Sequence, residues 1–103
     1  MSEYLADVRR YDAGADEAIV EKIVKHLGIA LRNRDSSLVS ATDPEELKRV
    51  RTNWVAKKLG IADEAKGDEV VAHVAEVMKG DRNKGRVTFY YLVAKQLGKL
   101  GDL

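Results

Sequence analysis

Three near-copies of one six-residue helix ending constrain the fold of this chain more than any other feature. They read Ile-Val-Lys-His-Leu-Gly at 23–28, Val-Ala-Lys-Lys-Leu-Gly at 55–60 and Val-Ala-Lys-Gln-Leu-Gly at 93–98. Each copy places apolar residues on one helix face and a cation beside the carbonyl-rich end. Each then has a glycine, which suits the left-handed conformation just past a helix end. The pattern predicts three helices that bury one face and stop, and it predicts no chemistry.

The spacing of these endings allows two interpretations. Each ending has room for another helix before it, so the chain could stack three helix pairs as helical-repeat proteins do. The alternative is that short Leu-Gly endings recur by chance. The rest of each unit matches poorly, and three units are the minimum for such an array. Both interpretations predict a helical chain.

Composition favours one soluble globular domain over residues 1–103, with 45% hydrophobic and 34% charged residues. The net charge of +1 argues against a protein that coats nucleic acid with its whole surface, but a local basic patch stays open. Without cysteine, disulfides and thiolate metal ligands are excluded. The first ten residues mix acids with arginines, unlike a signal peptide, and no apolar run approaches membrane-spanning length. We therefore expect a cytoplasmic protein with no membrane contact.

Helix formers dominate, and no segment alternates as a long strand would. The strongest helix start is the run from Asp43 to Glu46, which combines a capping acid, a proline at the first position and acids in the first turn. We also expect a short helix within 29–42, where Ser36 is placed to cap a turn through Leu38 and Val39. The other expected helices lie at about 2–11, 16–27, 68–78 (or from 63) and 84–97, and the Asp43 helix runs to 59.

The last expected helix, about 84–97, is apolar on nearly every side. Its polar stripe holds only Thr88, Lys95 and Lys99. A helix of this kind belongs in the middle of a bundle. We therefore predict an all-α fold, a compact single-domain bundle of five or six helices with the C-terminal helix central. Phe89, Tyr90, Tyr91 and Trp54 are then core residues rather than a base-stacking platform.

No pattern of catalytic or metal-ligating residues emerges. His26 and His73 are far apart on different expected helices, whereas a zinc site needs three or four converging ligands. Capping explains Glu45 and Glu46, and neighbours in sequence point to different sides of a helix. The serines lack the glycine-flanked turn that exposes a nucleophile. We predict no catalytic residue, no metal and no cofactor.

One segment, 79–86, breaks a local rule. It carries four cations and one acid at the expected start of the last helix, where the helix dipole disfavours positive charge. Such conflicts often mark function. Free amide hydrogens beside Arg82, Lys84 and Arg86 would favour a phosphate or a carboxylate, so these three are the candidate anion-binding residues. The alternative is that the arginines pair with acids elsewhere in the fold or stay solvated.

Two stretches together resemble a known family. One is Asp43-Pro44-Glu45-Glu46-Leu47 running on to Lys57-Lys58-Leu59-Gly60, and the other is Arg82-Asn83-Lys84 followed by Phe89-Tyr90-Tyr91-Leu92 and Ala94-Lys95. With the chain length, they are similar to a family of small bacterial proteins catalogued as domain of unknown function 2853, from about Ile19 onward. The resemblance implies a compact helical fold in a bacterial cytoplasm. It implies no activity, ligand or catalytic residue.

Two functions therefore stay open. The first is a non-enzymatic module that acts through protein contacts, with a partner protein or as a homodimer. The second is a small anion- or nucleic-acid-binding domain that uses Arg82, Lys84 and Arg86. An exposed apolar patch would favour the first, and a continuous basic patch the second. An enzyme would need a pocket of converging polar groups. A wider basic surface would add Lys48, Arg51 and Lys58.

Overall fold

In a computed structural model, which describes residues 2–33 and 37–103, five α-helices form most of the regular structure. They are α1 (Ser2–Arg9), α2 (Glu17–Leu27), α3 (Pro44–Val50), α4 (Glu64–Val77) and α5 (Arg86–Gln96). A π-helix, Arg51–Lys58, continues α3, and short 3₁₀ helices lie at Gly28–Arg32 and Leu100–Asp102. The fold is mostly helical and compact, with a Cα radius of gyration of 12.3 Å. Among the described helices, none has the length and apolar character that crossing a bilayer requires.

Gly60 and Gly98 adopt the predicted left-handed conformation, whereas Gly28 combines a positive φ with a ψ of −99° and does not. Gly28, Gly60 and Gly98 have φ angles of 33°, 76° and 70°, and they are the described residues with positive φ. They terminate α2, the π-helix and α5. After α5, the amide of Lys99 returns to the carbonyl of Ala94 at 2.8 Å and so satisfies an otherwise orphaned acceptor. The helix ends predicted from the repeated pattern are confirmed.

Acidic N-caps begin three of the helices. The Asp16 carboxylate accepts from the Ala18 amide at 2.8 Å, and Asp43 accepts from Glu45 at 3.0 Å, just before the proline that begins α3. Asp63 accepts from the amide of Lys66, so α4 begins at the earlier of its two predicted starts. Each cap satisfies an amide that has no partner within the helix.

The helix expected from Pro44 to Leu59 is not uniform. After Val50 it widens into the π-helix, and the amide of Leu59 donates to the carbonyl of Trp54, five residues back, at 2.9 Å. The buried residues Val50, Trp54, Val55 and Leu59 stand at positions i, i+4, i+5 and i+9. This spacing fits an i→i+5 helix better than the 3.6-residue period of an α-helix, so the wider turn keeps all four on the core face.

The short helix predicted through Leu38 and Val39 is wrong. These two residues form strand β1 (Leu38–Val39), which pairs antiparallel with β2 (Lys84–Gly85). Ser36, the predicted cap, lies outside the described residues. The ribbon satisfies backbone groups on both segments and moves the start of the last helix from Lys84 to Arg86.

Helix α5 packs against α1, α2 and α4 and buries seven of its eleven residues. Phe89, Tyr90, Tyr91 and Trp54 are all buried, which confirms their assignment to the core. The buried residues of α5 are Val87, Thr88, Phe89, Tyr90, Tyr91, Val93 and Ala94.

Two side chains differ from the pattern-based expectation. Thr88, predicted on the polar stripe, is only 1% exposed, because its hydroxyl donates to the carboxylate of Asp7 on α1. Val77, predicted on the buried side of α4, is 46% exposed. It lies at the edge of the buried arc of α4, whose centre is set by Val71, Val74 and the fully buried Met78 that follows the helix.

Candidate functional site

A cleft of about 520 Å³ lies where the end of α2, strand β1, α3 and the start of α5 meet, and it is hereafter the α3–α5 cleft. Its apolar wall is formed by Leu27, Ala30, Leu38 and the ring of Tyr90. A volume of this size is typical of small-ligand sites. Its polar lining consists of Ser40, Asp43, Glu46, Arg49, Asn53 and Arg86.

Glu46 is the buried acid of the cleft, at 7% exposure. It lies in the first turn of α3, and Arg49 follows one turn later on the same face. Arg49 donates to Oε2 of Glu46 through Nη2 at 2.8 Å and through Nε at 3.1 Å. Arg86, the first residue of α5, donates from Nη2 to Oε1. One carboxylate thus bridges two guanidinium groups from different helices.

The protonation of Glu46 follows from two opposing effects. Burial raises the pKa of this carboxyl, while the hydrogen bonds from Arg86 and Arg49 lower it, and the net result is a pKa below the ordinary value. A buried charge is tolerated when it is paired and hydrogen-bonded in this way. Glu46 is therefore a carboxylate at neutral pH.

Arg86 has further partners inside the cleft. Its Nη2 also donates to the carbonyl oxygen of Leu38 at 3.1 Å, and its Nη1 donates to the Tyr90 hydroxyl at 3.4 Å. Its guanidinium carbon lies 5.8 Å from the centre of the Tyr90 ring. Burial raises the pKa of Tyr90, and the hydrogen bond from Arg86 opposes that rise. Arg86 thus joins β1, α3 and α5.

The other two candidate anion-binding residues take different directions. Lys84 donates to the carbonyl oxygen of Asp81 at 2.8 Å, and Arg82 is exposed in the turn before β2. Arg86 points instead to Glu46. An anion site that uses Arg82, Lys84 and Arg86 together stays a prediction.

The three residues predicted to form a wider basic surface around the π-helix also differ in their surroundings. Arg51 is largely buried, with Nε 2.6 Å from an oxygen of Asp68 and Nη1 3.7 Å from an oxygen of Glu64. Lys48 and Lys58 are exposed.

An internal carboxylate lies near the start of α5, where the sequence favoured an external anion. Asp7 of α1 accepts from the Thr88 hydroxyl, and a Cβ placed on Gly85 would lie 3.2 Å from its Oδ2. A carboxylate is stabilised at a helix start by the dipole and the unpaired amides. Asp7 is 81 residues from Thr88, so no local pattern signals the contact.

A second set of polar contacts attaches the N-terminal segment to the rest of the fold. Asp12 accepts from the Tyr91 hydroxyl at 2.7 Å, and Lys95 lies 3.2 Å from the same oxygen. Asp81 accepts from Arg10 at 2.6 Å and from the Tyr11 hydroxyl at 2.5 Å. The segment around α1 is thus held to α5 and to the loop after α4.

These contacts shift several pKa values. The hydrogen bond from Tyr91 is the main cause of the lowered pKa of Asp12, and those from Arg10 and Tyr11 lower the pKa of Asp81. Burial, followed by the hydrogen bond to Asp81, raises the pKa of Tyr11 to about 12. Burial and the bond to Asp12 raise the pKa of Tyr91. At neutral pH the carboxyl groups of Asp12 and Asp81 are therefore charged, and the hydroxyls of Tyr11 and Tyr91 keep their protons.

The two histidines lie in different surroundings. The His26 ring centre is 5.1 Å from that of Trp54, and burial together with the charge of Lys58 lowers the His26 pKa. His73 is exposed on α4, near Val77. Within residues 2–33 and 37–103, no three histidine, aspartate or glutamate side chains are grouped as metal ligands.

Comparison with known proteins gives one finding. A family model described as "Protein of unknown function (DUF2853)" matches residues 3–101, nearly the whole chain. No curated protein is similar enough to add a named relative.

Proposed function

Because the chain belongs to the DUF2853 family, whose description assigns no activity, we propose a function from the geometry: a small non-enzymatic module that binds a protein partner in the α3–α5 cleft. Membership confirms the resemblance first carried by two stretches of sequence. The bacterial and cytoplasmic setting stays a prediction, and fractionation of the source cells tests it.

The observation that carries the proposal is how the charged groups of the cleft are used. Glu46 is engaged by Arg49 and Arg86, and Asp43 caps α3, so none of these groups is poised to transfer a proton. An apolar wall beside an exposed arginine is the combination found where protein contacts carry most of their binding energy. The geometry therefore favours binding over catalysis.

The exposed apolar side chains of the described surface favour the cleft, rather than a flat surface patch, as the place where a partner binds. Val77 is the exposed large apolar side chain among the described residues, and single exposed side chains of this kind are normal. A partner that buries apolar area would therefore gain more from the recessed wall of Leu27, Leu38 and Tyr90 than from the convex surface.

The test is site-specific photo-crosslinking in the source cells. A photoreactive residue replaces Asn53, which is exposed and lines the cleft, and a control replaces Glu69, which is exposed on α4 outside the cleft. We expect one defined protein adduct from position 53 and none from position 69. The partner identified by mass spectrometry should then bind in purified form. No adduct, or the same adducts from both positions, would contradict the proposal.

A homodimer is the version of this proposal in which the partner is a second copy. Sedimentation velocity of the purified chain tests it. A concentration-dependent shift to twice the monomer mass supports it. A monomer at the highest concentration removes it and leaves a heterologous partner.

We propose anion or nucleic-acid binding as the second candidate. Its support is that Arg82 is exposed near the start of α5, where Gly85 supplies no side-chain cap. Fluorescence anisotropy with a labelled single-stranded oligonucleotide tests it, with Arg82→Met as the variant. Binding should weaken steeply with added salt and weaken further in the variant. Binding that ignores salt, or none, rejects this candidate.

We also propose that α5 is the central helix of the bundle. Its contacts with α1, α2 and α4 and its many buried residues support this. Native-state hydrogen exchange tests it, because amides of a central helix exchange only through global unfolding. Faster exchange at Phe89–Val93 than in α2 would argue against it.

A further inference from the structure

We infer that the α3–α5 cleft recognises a carboxylate borne on a short apolar group, and that Arg49 is the residue that binds it. The inference rests on the proposed binding role of the cleft and names the chemistry of the bound group. Two sources present this chemistry, the C-terminal residue of a partner chain and a free small acid. The experiment below distinguishes them.

The arginine–glutamate cluster of the cleft carries a net charge. Two guanidinium groups, Arg49 and Arg86, share the single carboxylate of Glu46, so the three side chains carry one net positive charge. The other acid of the lining, Asp43, accepts from the Glu45 amide as the N-cap of α3, and the helix dipole offsets part of its charge. A monoanion would neutralise the cluster.

The two arginines of the cluster are buried to different extents. The Arg86 side chain is 12% exposed and is also bonded to Leu38 and Tyr90, so it belongs to the framework. The Arg49 side chain is 59% exposed, and both of its hydrogen bonds go to one oxygen of Glu46. Its Nη1 makes no hydrogen bond within the described part of the chain. The outer edge of this guanidinium is therefore available to a carboxylate, which arginine binds with two parallel hydrogen bonds.

Apolar and polar side chains of the same cleft accompany the outer edge of the Arg49 guanidinium. Leu27, Ala30 and Leu38 offer an apolar wall for the group that carries the carboxylate. Asn53, which lines the same cleft, supplies an exposed side-chain amide with both donors and an acceptor. Asn53 lies on the π-helix, and π-helical turns occur frequently at functional sites. The cleft therefore combines three groups that can hold an apolar acid: the Arg49 guanidinium for the carboxylate, the apolar wall for the group that carries it, and the Asn53 amide beside them.

The experiment is an NMR titration of the isotope-labelled full chain. The probes are acetyl-Ala-Ala-Ala-Leu with a free carboxylate, the same peptide with a C-terminal amide, and N-acetyl-leucine. We expect the free-acid peptide to shift the Arg49 Nε–H and Asn53 side-chain amide signals. The amidated peptide should bind at least about tenfold more weakly, which is roughly the loss of one charge-assisted interaction. Equal binding of acid and amide, or no binding of either, would overturn the inference.

The matched variants are Arg49→Met and Lys48→Met, which remove neighbouring cations of the same helix. Lys48 is exposed but does not line the cleft. We expect Arg49→Met to abolish the preference for the free acid and Lys48→Met to retain it, with circular dichroism reporting that both variants fold. Equal effects of the two variants would mean that general charge is responsible, and this too would overturn the inference.

The outcomes separate the inference from the proposed function. If N-acetyl-leucine binds as tightly as the tetrapeptide, the carboxylate is recognised as a free acid, and the protein-partner proposal fails while the inference stands. If a partner crosslinks at position 53 and binds Arg49→Met as well as the natural chain, the proposed function stands and the inference fails.

Discussion

Glu46 shows how far a buried acid depends on its partners. Its carboxylate is almost fully enclosed, and the Arg86 side chain facing it is nearly as buried. Loss of the charge on Glu46 would remove the carboxylate that Arg49 and Arg86 both bind, and removing one member of a buried ion pair costs more than the pair contributes. The first prediction follows from this asymmetry.

We predict that Glu46→Gln lowers the free energy of unfolding by about 1–3 kcal/mol, because a neutral amide replaces the bridging carboxylate. Urea denaturation measures the change. The neighbour Glu45 is exposed in the same turn, so Glu45→Gln is the control and should stay within about 0.5 kcal/mol of the natural chain. A loss in Glu46→Gln no larger than in its control would contradict a role for the bridge.

Gly67 is a residue whose importance only the packing reveals. It lies within α4, and a Cβ there would be 2.9 Å from Cγ of Arg51 and 3.3 Å from a methyl of Val55. The usual gain of about 1 kcal/mol for Gly→Ala in a helix should therefore not appear. We predict that Gly67→Ala destabilises the fold by about 1 kcal/mol through overpacking.

A double-mutant experiment tests this explanation. In an Arg51→Ala background the crowded Cγ is gone, so Gly67→Ala should no longer destabilise. Gly80, which has no atom within 4 Å of a built Cβ, is the matched control site, and Gly80→Ala should be close to neutral. Urea midpoints of the four variants give the comparison. An equal cost of Gly67→Ala in both backgrounds would exclude contact with Arg51 as its cause.

At the level of single residues, the sequence predicted what depends on near neighbours. The cap at Asp43 was visible because a cap and the amide that it accepts from lie within three residues, and Asp16 and Asp63, expected only as approximate helix starts, cap their helices over the same short range. Arg86 was singled out, but its partner Glu46 is forty positions away and no local spacing connects the two. The same holds for Asp7 and Thr88.

Among the elements, the start of α5 depends on a residue from another helix. Gly85 offers no side chain to cap α5, and the Asp7 carboxylate of α1 lies there instead, bonded to the Thr88 hydroxyl. We predict that Asp7→Ala lowers the free energy of unfolding by about 1 kcal/mol, the usual contribution of one hydrogen bond, here the bond from the Thr88 hydroxyl. A cycle with Thr88→Val should give a coupling of similar size. Additive effects of the two changes would show that the contact contributes nothing.

The elements also show where periodicity succeeds and where it fails. Amphipathic spacing placed α2 and α4 well, because a single buried face fixes the rotation of a helix. The change from α3 to the π-helix was not predicted, since it depends on placing Trp54 against Tyr90 of α5 and Val55 beside Gly67 of α4 at the same time. The β ribbon was missed because a two-residue strand has no period, and its partner lies far along the chain.

For the whole molecule, opposite pKa shifts predict a stability plateau around neutral pH. Asp12, Asp81 and Glu46 have lowered pKa values, so the folded chain binds fewer protons than the unfolded chain near pH 4. The stability from these groups is present above their unfolded pKa values and is lost as the pH falls through the folded ones. Tyr11, with its pKa raised to about 12, behaves in reverse: its contribution is present below about pH 10 and lost as the pH rises towards 12.

We predict that urea midpoints stay level between about pH 7 and about pH 9 and fall on both sides, because the lowered pKa of His26 starts the acid decline below the ordinary histidine pKa of 6.5. Tyr11→Phe should be less stable at neutral pH, because it loses the bond to Asp81, and should lose less on the alkaline side. An alkaline decline unchanged in this variant would assign that decline to other groups.

The sequence was sufficient to predict the fold class, but not how the helices and the strand are arranged around the cleft. Three Leu-Gly helix ends and an almost wholly apolar last helix are sufficient to predict a compact, mostly helical fold. The α3–α5 cleft requires α2, β1, α3 and α5 to meet at one place, and the sequence carries no signal for that meeting. For this reason the candidate site emerged only with the coordinates, around a glutamate that had been assigned to helix capping.

Trp54 provides the chain with its own optical reporter. It is the single tryptophan, its indole Nε1 donates to the Tyr90 carbonyl oxygen at 3.0 Å, and the two ring centres are 4.8 Å apart. Tyr90 also lines the α3–α5 cleft. Indole emission should therefore respond to an occupant of the cleft through one intervening ring, and to denaturation through the loss of its dry surroundings. One fluorophore, with no label attached, can follow both recognition and unfolding.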